Sequence, residues 1–319
     1  MYNIIVNPAS KSGRGARIWS SLEPVLKEKN VPYQVFFSEK SGHVIQIVRE
    51  LTISVSEPLK LIVLGGDGTL NEVLQGITDF DKVQVGYIPT GSSNDLARDL
   101  KLSKDPAAIL AGILNCSKAT LVDIGCVTYE STSDEFSRCH SDEFVTKRYF
   151  SVSCGIGFDA AVCEEALSSK FKNILNKMGL GKLTYLVIAL KQLIAARKIS
   201  CELCLDSKEV IHIQRFLFIA AMIHQYEGGG FMFCPDADYH DGLLDICSVG
   251  NIPKLLVLLA LPTAFSGKHY MFKGINRYSA KTLKITTSAP LWVHTDGEVS
   301  VKADSITLVC EKNKLQMLL

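Results

Sequence analysis

The chain has 319 residues, 47% hydrophobic and 21% charged, enough to bury a sizeable core in about two domains. Lysines and arginines number 34 against 33 aspartates and glutamates, and this formal net charge of +1 argues against a nucleic-acid partner, which requires a basic excess. The 10 cysteines form no disulfide framework and no leader segment precedes the first strand, so reduced thiols and a cytoplasmic location are expected.

The first third alternates strand and helix signals. A short apolar strand over 3–6 leads into the loop 7–15, and Trp19, Leu22, Val25 and Leu26 then share one helical face. Strands are expected over 31–37, 59–64 and 83–88, with helices over 43–53 and 71–77 between them. This repetition predicts a mostly parallel sheet covered on both faces. After about residue 123 the rhythm changes to short strand-like pieces at 149–154, 200–205, 211–222, 243–249, 283–287, 291–295 and 305–311. Two helical stretches, 159–168 and 183–198, interrupt them. The expected fold class is α/β in two domains: an N-terminal three-layer α/β domain with a mostly parallel sheet, and a C-terminal, predominantly antiparallel, β-sandwich-like domain. Residues 128–147 are polar and of mixed charge, which predicts a surface excursion, with a functional lid as the alternative.

Mean hydropathy is +0.18, high enough to test for membrane contact. The apolar runs 183–196 and 255–265 are too short to span a bilayer, and the first is broken by Lys191 and Gln192, the second by Pro262. Peripheral association is compatible with both runs. The stripe Leu183, Leu186, Val187, Leu190, Leu193 and Ile194 has helix-on-sheet packing as its default explanation and a lipid-facing surface as the alternative.

Three glycine-bearing loops follow strands that a parallel sheet would bring to one edge. They are Lys11-Ser12-Gly13-Arg14-Gly15, Gly65-Gly66-Asp67-Gly68-Thr69 and Pro89-Thr90-Gly91-Ser92-Ser93-Asn94-Asp95. One such loop is commonly only a tight turn, but three at the carboxyl edge of a sheet form a cradle for phosphate. Neither a Walker A sequence nor G-x-G-x-x-G is present. Asp67 and Asp95 cannot both face phosphate oxygens unless a divalent cation or a substrate hydroxyl lies between them. Asp123, at the end of a strand-like piece, is a third carboxylate whose alternative is a solvated turn.

The stretch Leu61-Ile62-Val63-Leu64-Gly65-Gly66-Asp67-Gly68-Thr69-Leu70, with Gly91-Ser92-Ser93-Asn94-Asp95-Leu96-Ala97-Arg98, resembles the diacylglycerol kinase catalytic domain, most closely the soluble bacterial lipid kinases, and more distantly NAD kinases. The opening Val6-Asn7-Pro8-Ala9-Ser10-Lys11-Ser12-Gly13 fits the same pattern, as do Gly155-Ile156-Gly157-Phe158-Asp159, Gly228-Gly229-Gly230 through Asp241-Gly242-Leu243, and His294-Thr295-Asp296-Gly297-Glu298, so the matches cover nearly the whole chain. The resemblance implies ATP-dependent, Mg²⁺-assisted phosphorylation of a lipid hydroxyl in a cleft between a nucleotide-binding domain, 1–124 completed by 303–319, and a lipid-substrate domain, 125–302. It implies a nucleotide site formed by Gly65, Gly66, Gly68 and Thr69 with Asn7, Thr90, Gly91 and Asn94, joined by Lys11, Ser12 and Gly13 of the first loop. Asp296 corresponds to the general base, Asp67, Asp95, Asp123 and Glu298 to an acidic network that positions magnesium, and Asp238 and Asp241 with the Leu243 carbonyl to a structural magnesium site. The implied partner is a lipid met transiently at a membrane surface, with the protein a monomer or homodimer.

The residues are compatible with those roles. A positioned carboxylate can take the proton of an alcohol during phosphoryl transfer, and Asp296 follows a strand and precedes a glycine, although Asp-Gly is also a hairpin signal. Asp238 and Asp241 offer hard oxygen ligands, with an ordinary acidic loop as the alternative. Family members often carry an asparagine before the glycine triplet, where this chain has Ala220 to Glu227, which leaves the acceptor open. Cys201 and Cys204 would point to opposite faces of a strand and suit neither a disulfide nor a zinc site. Two other readings stand beside the lipid kinase: a kinase for NAD or another soluble alcohol, and a non-catalytic nucleotide-binding module.

Overall fold

The computed structural model describes the chain except residues 56, 133–145, 169–180 and 198. In the first domain β1 (Tyr2–Val6), β2 (Tyr33–Phe37), β3 (Leu59–Gly65) and β4 (Val83–Pro89) pair in parallel in the order β4-β3-β1-β2. Strand alternation sends their side chains to two separate cores. Ile4, Val6, Ile62, Leu64 and Ile88 face α1 (Ser10–Glu28) and α5 (Pro106–Asn115). Ile5, Leu61, Val63 and Val85 face α2 (His43–Thr52) and α3 (Asp67–Gly76). Period-two burial on both sides is what a sheet covered by two helical layers requires, so the three-layer expectation holds. A short α4 (Asp95–Asp99) follows β4, and neither it nor α5 was signalled in the sequence.

The second domain is antiparallel. It contains β5 (Thr120–Thr132), β6 (Lys147–Phe150), β7 (Ser153–Gly157), β8 (Ile199–Leu205), β9 (Glu209–Met222), β10 (Leu244–Gly250), β11 (Ile275–Ala280), β12 (Thr282–Thr295) and β13 (Glu298–Leu318). Its helices are α6 (Phe158–Ser168), α7 (Gly181–Ala195) and α8 (Lys254–Ala260). The 21-residue β13 spans both domains: it runs antiparallel to β12 and β5, and its end, Gln316 to Leu318, pairs in parallel with β4.

Several boundaries differ from expectation for physical reasons. The strand expected over 149–154 splits into β6 and β7 because the Ser151 and Val152 amides turn out of the ladder toward Asp296. The pieces 283–287 and 291–295 are one strand with a register shift between Thr286 and Leu291. The apolar run from 255 is helical, with a 3-10 turn (Leu261–Ser266) beginning beside Pro262. The polar excursion is in part strand, since β5 reaches Thr132 and β6 starts at Lys147, while the rest of it, 133–145, on which the lid alternative depends, lies outside the described residues. Cys201 is buried, Cys204 is on the other face, and both thiols are free. Among the described residues no helix is long and apolar enough to cross a membrane.

Gly125 sits directly against the Phe150 ring across the β5–β6 pair, where a Cβ would fall inside the ring's van der Waals surface. Gly125→Ala should therefore destabilise the protein by about 1–3 kcal/mol, the usual scale of overpacking, read as a lowered urea midpoint at constant slope.

Candidate active site

The loops after β1, β3 and β4 meet at the carboxyl edge of the parallel sheet, where backbone amides are left unpaired by the strands. The Thr90 amide donates to the Gly65 carbonyl at 2.7 Å, and Asn7 Nδ2 donates to Thr69 Oγ1 at 3.0 Å. Ser10 Oγ and Thr90 Oγ1 lie 2.6 Å apart, and Asn94 Nδ2 donates to the Gly91 carbonyl. Gly66 and Gly91 touch backbone to backbone: a Cβ on Gly91 would lie 2.6 Å from the Gly66 Cα. Only two residues without side chains allow these loops to close. Lys11, Ser12 and Gly13 are successively left-handed, with φ of 41°, 55° and 85°, inside what is otherwise the start of α1. The structure thus brings together Asn7, Gly65, Gly66, Thr69, Thr90, Gly91 and Asn94 of the residues expected at the nucleotide site, while Lys11 and Ser12 are exposed in the loop after β1. Two adjacent non-glycine residues in this region store strain, a feature concentrated at ligand-binding loops.

Asp67 opens α3, and its Oδ2 accepts from the Asp95 amide at 3.4 Å. Its Oδ1 is buried with no hydrogen-bond partner among the described residues. Burial, then the charges of Asp95 and Asp296, push its carboxyl up to about 7. Asp95 is buried between Arg98, whose Nη1 donates to Oδ1 at 3.0 Å, and the Gly229 amide, which donates to Oδ2 at 2.9 Å. Burial pushes its carboxyl upward, and those two donors pull it back. Glu298 Oε1 fills the space beside Gly68 in the first turn of α3, 2.5 Å from where a Cβ would stand.

Asp296 lies in the β12–β13 turn with a φ of 51° and accepts five hydrogen bonds. Oδ2 takes Asn71 Nδ2 at 2.9 Å, the Ser151 amide at 2.9 Å and Ser151 Oγ at 3.2 Å. Oδ1 takes the Val152 and Ser153 amides at 2.8 and 3.1 Å. Asn71 is oriented in turn by Arg148, whose Nη2 donates to its Oδ1 at 2.8 Å, while Arg148 Nε reaches Thr295 Oγ1 at 3.3 Å. The spacing of Asn71 four residues after Asp67 puts both on one face of α3, which is the signal that would have found it. Arg148 and Ser151 carry no such signal, because only the β6–β7 break aims them.

A second cluster lies behind Asp296. His294 Nε2 is 3.2 Å from Asp159 Oδ2 and 3.1 Å from Glu227 Oε1, and the Gly297 amide donates to Nδ1 at 3.2 Å. The three side chains are close enough to share a cation. The Gly297 N–H, however, takes the Nδ1 lone pair, which leaves the ring proton on Nε2 between the two carboxylates. Burial pushes Asp159 upward, favouring a shared proton there. The cluster therefore clamps the Asp296–Gly297 turn to α6 and to the glycine-triplet loop. Asp159 and Glu227, met in the sequence only as parts of neighbouring motifs, belong to this clamp.

Asp123 does not join the Asp67–Asp95 pair through any hydrogen bond among the described residues, and it lies inside β5 rather than at a strand end. Its Oδ2 accepts from the Gly242 amide at 2.7 Å and its Oδ1 from the Asn313 amide at 2.6 Å, so it pins the 238–243 turn to a bulge in β13. In that turn Asp238 Oδ1 accepts from the His240 amide and Asp241 Oδ1 from the Leu243 amide, with both carboxylates exposed. The expected acidic network of Asp67, Asp95, Asp123 and Glu298 is thus divided: Asp67, Asp95 and Glu298 lie at the glycine loops, whereas Asp123 lies with the turn that carries Asp238, Asp241 and Leu243.

Asp67→Asn should separate stability from function. The folded-state carboxyl titrates near 7 and the unfolded one near 4, so the native charge penalty is absent below about pH 4 and complete above about pH 7. The asparagine variant of the metal-free protein should show a thermal midpoint raised by several degrees at pH 8 and by less at pH 5. Asp123→Ala should instead lower stability by about 3 kcal/mol in urea, through two lost charge-assisted bonds.

A model of the diacylglycerol kinase catalytic domain matches residues 1–127, and one of the YegS C-terminal NAD kinase beta sandwich-like domain matches residues 151–318. YtlR of Bacillus subtilis (strain 168), a provisionally named lipid kinase, is 27% identical over 298 residues, 92% of each chain. A diacylglycerol kinase of Mycobacterium tuberculosis (strain H37Rv) is 28% identical over 239 residues, 75% of this chain and 70% of that one. The crystal structure of a diacylglycerol kinase from Bacillus anthracis str. Sterne shares the fold with a TM-score of 0.71 at 21% identity, covering 99% of this chain and 96% of that one.

Proposed function

Because this chain belongs to the diacylglycerol kinase catalytic-domain family and carries the YegS C-terminal domain as well, we propose that it transfers the γ-phosphoryl group of ATP to a lipid hydroxyl, that of diacylglycerol or a related glycerolipid. The observation that carries this reading is the convergence of Asp67, Asp95 and Asp296 beside three phosphate-sized glycine loops. Lys11, the loop amides and the N-terminus of α3 suit the ATP phosphates, with Asn7, Thr69, Thr90 and Asn94 fixing the loops. The unpartnered Asp67 oxygen and the neighbouring Asp95 fit Mg²⁺, which when bound would neutralise charge on the transferring phosphoryl group. The oxygen-only set at Asp238, Asp241 and the Leu243 carbonyl fits a second, structural Mg²⁺.

Asp296 takes the role of general base in this reading. Five donors crowd a carboxylate with about four lone-pair sites, so a substrate hydroxyl enters by displacing one of them. Ser151 Oγ, at 3.2 Å the longest of the five, is the one that gives way. The remaining donors keep the Asp296 carboxylate fixed where it can take the hydroxyl proton, in a phosphoryl transfer that needs little help at the nucleophile. Glu298 at the first turn of α3 positions the loop that faces the nucleotide. The enzyme would be cytoplasmic and meet its lipid transiently at the membrane surface.

The test is ATP consumption over a panel of lipid and soluble alcohols, with products identified by mass. Mg²⁺-dependent lipid phosphorylation is expected, reduced about 100-fold or more in Asp296→Asn. Efficient phosphorylation of NAD with no lipid turned over would overturn the reading, as would ATP binding without turnover of any acceptor. A second reading, favoured by the unpartnered oxygen and raised pKa of Asp67, makes Asp67 the base. Retention of activity by Asp296→Asn alongside its loss in Asp67→Asn would select it.

A further inference from the structure

Among the described residues fifteen large hydrophobic side chains are exposed, and eight of them lie on α7, α8 and the 3-10 turns that follow. Val187 and Ile194 on α7 are 60% and 70% exposed, Leu255 and Leu259 on α8 70% and 57%, and Phe265 and Met271 beyond it 54% and 76%. Helical spacing gathers each set on one face, away from the inward Leu193 and Val257. The two helices adjoin: Lys254 Nζ donates to the Ile194 and Ala196 carbonyls at 2.7 and 2.9 Å. A patch of this kind marks a docking surface rather than scattered exposure.

The charge around it selects the partner. Residues 181–201 carry four lysines or arginines and 250–275 carry three, and neither stretch contains an aspartate or glutamate, in a chain whose net charge is only +1. Arg197, Lys268 and Lys273 are exposed beside the apolar side chains, while Lys191 is paired with Glu165. A second copy docked two-fold on this face would set positive charge against positive charge. An anionic bilayer offers the opposite charge and an apolar interior together.

The patch also leads to the site. Phe265 stacks on Phe231 with ring centroids 4.1 Å apart, and the Phe231 amide bonds the Glu227 carbonyl at 2.9 Å. The glycine triplet between them supplies the Gly229 amide that holds Asp95. We infer that α7, α8 and the Phe265–Met271 segment form the membrane-docking face of this protein, seated in an anionic bilayer with Phe265 and Phe231 at the entry to the cleft. This assignment rests on the lipid-kinase reading only for the direction of traffic into the cleft.

The full chain, without ATP, would be sedimented with phosphatidylcholine vesicles made with and without one-third phosphatidylglycerol. Binding should require phosphatidylglycerol and weaken in high salt. The variant Leu255→Ser/Leu259→Ser/Met271→Ser should partition at least about tenfold more weakly, with an unchanged thermal midpoint because all three side chains are exposed. Lys268→Gln/Lys273→Gln should lose roughly tenfold on anionic vesicles at low salt and less at high salt. No vesicle binding by the native chain, equal binding by the triple variant, or a native dimer that the triple variant turns into a monomer would each overturn the assignment. Vesicle binding without phosphorylation of any lipid would sink the kinase and leave the face standing, and phosphorylation in detergent micelles without vesicle binding would do the reverse.

Discussion

Asp296 receives hydrogen bonds from Asn71 on a helix of the first domain and from three consecutive residues, Ser151 to Ser153, of the second. Removing any one donor would leave a partly buried carboxylate short of a partner, so both domains are held in register around it. The break between β6 and β7, the orientation of Asn71 by Arg148 and the clamp on the following glycine by His294 all serve the same carboxylate. The contact between the domains is therefore built around one carboxylate oxygen pair, which lies near Asp67 of the glycine loops.

Asp67 and Asp296 show two ways of holding a partly buried carboxylate. Asp296 is satisfied by five donors, whereas Asp67 keeps an oxygen unpartnered and a pKa raised to about 7. The first arrangement stabilises the fold and the second costs it stability. An unrelieved buried charge next to a second carboxylate is the kind of local conflict that persists where a ligand resolves it. His294, Asp159 and Glu227 show how such a conflict is resolved without a ligand, by a proton held between two acceptors and fixed in place by a backbone amide.

β13 connects these features to the fold as a whole. Its first residues form the turn with Asp296, its middle carries the bulge at Asn313 that Asp123 grips, and its end completes the parallel sheet beside β4. The second domain thus cannot separate from the first without stripping a strand from it. The apolar side chains exposed on α7 and α8 connect toward the site through Phe265, which stacks on Phe231.

The alternation of apolar runs with glycine loops was enough to place β1, β3 and β4 in one parallel sheet, because a strand buried on both faces admits little else. It was also enough to identify Gly65 to Thr69 and Gly91 to Asn94 as facing loops, since close backbone approach demands residues without side chains. What local pattern cannot encode is partnership over long separations. Asp123 and Asp296 look alike in the chain, each an aspartate at or near a strand end, yet one pins a turn to a bulge and the other gathers five donors at the cleft. Asn71, Arg148, Ser151 and Glu227 acquire their roles only when residues as far apart as 71 and 296 are brought within 2.9 Å. The fold class and the facing glycine loops follow from composition and periodicity. Which carboxylate does what is decided by the hydrogen bonds that tertiary packing delivers to it.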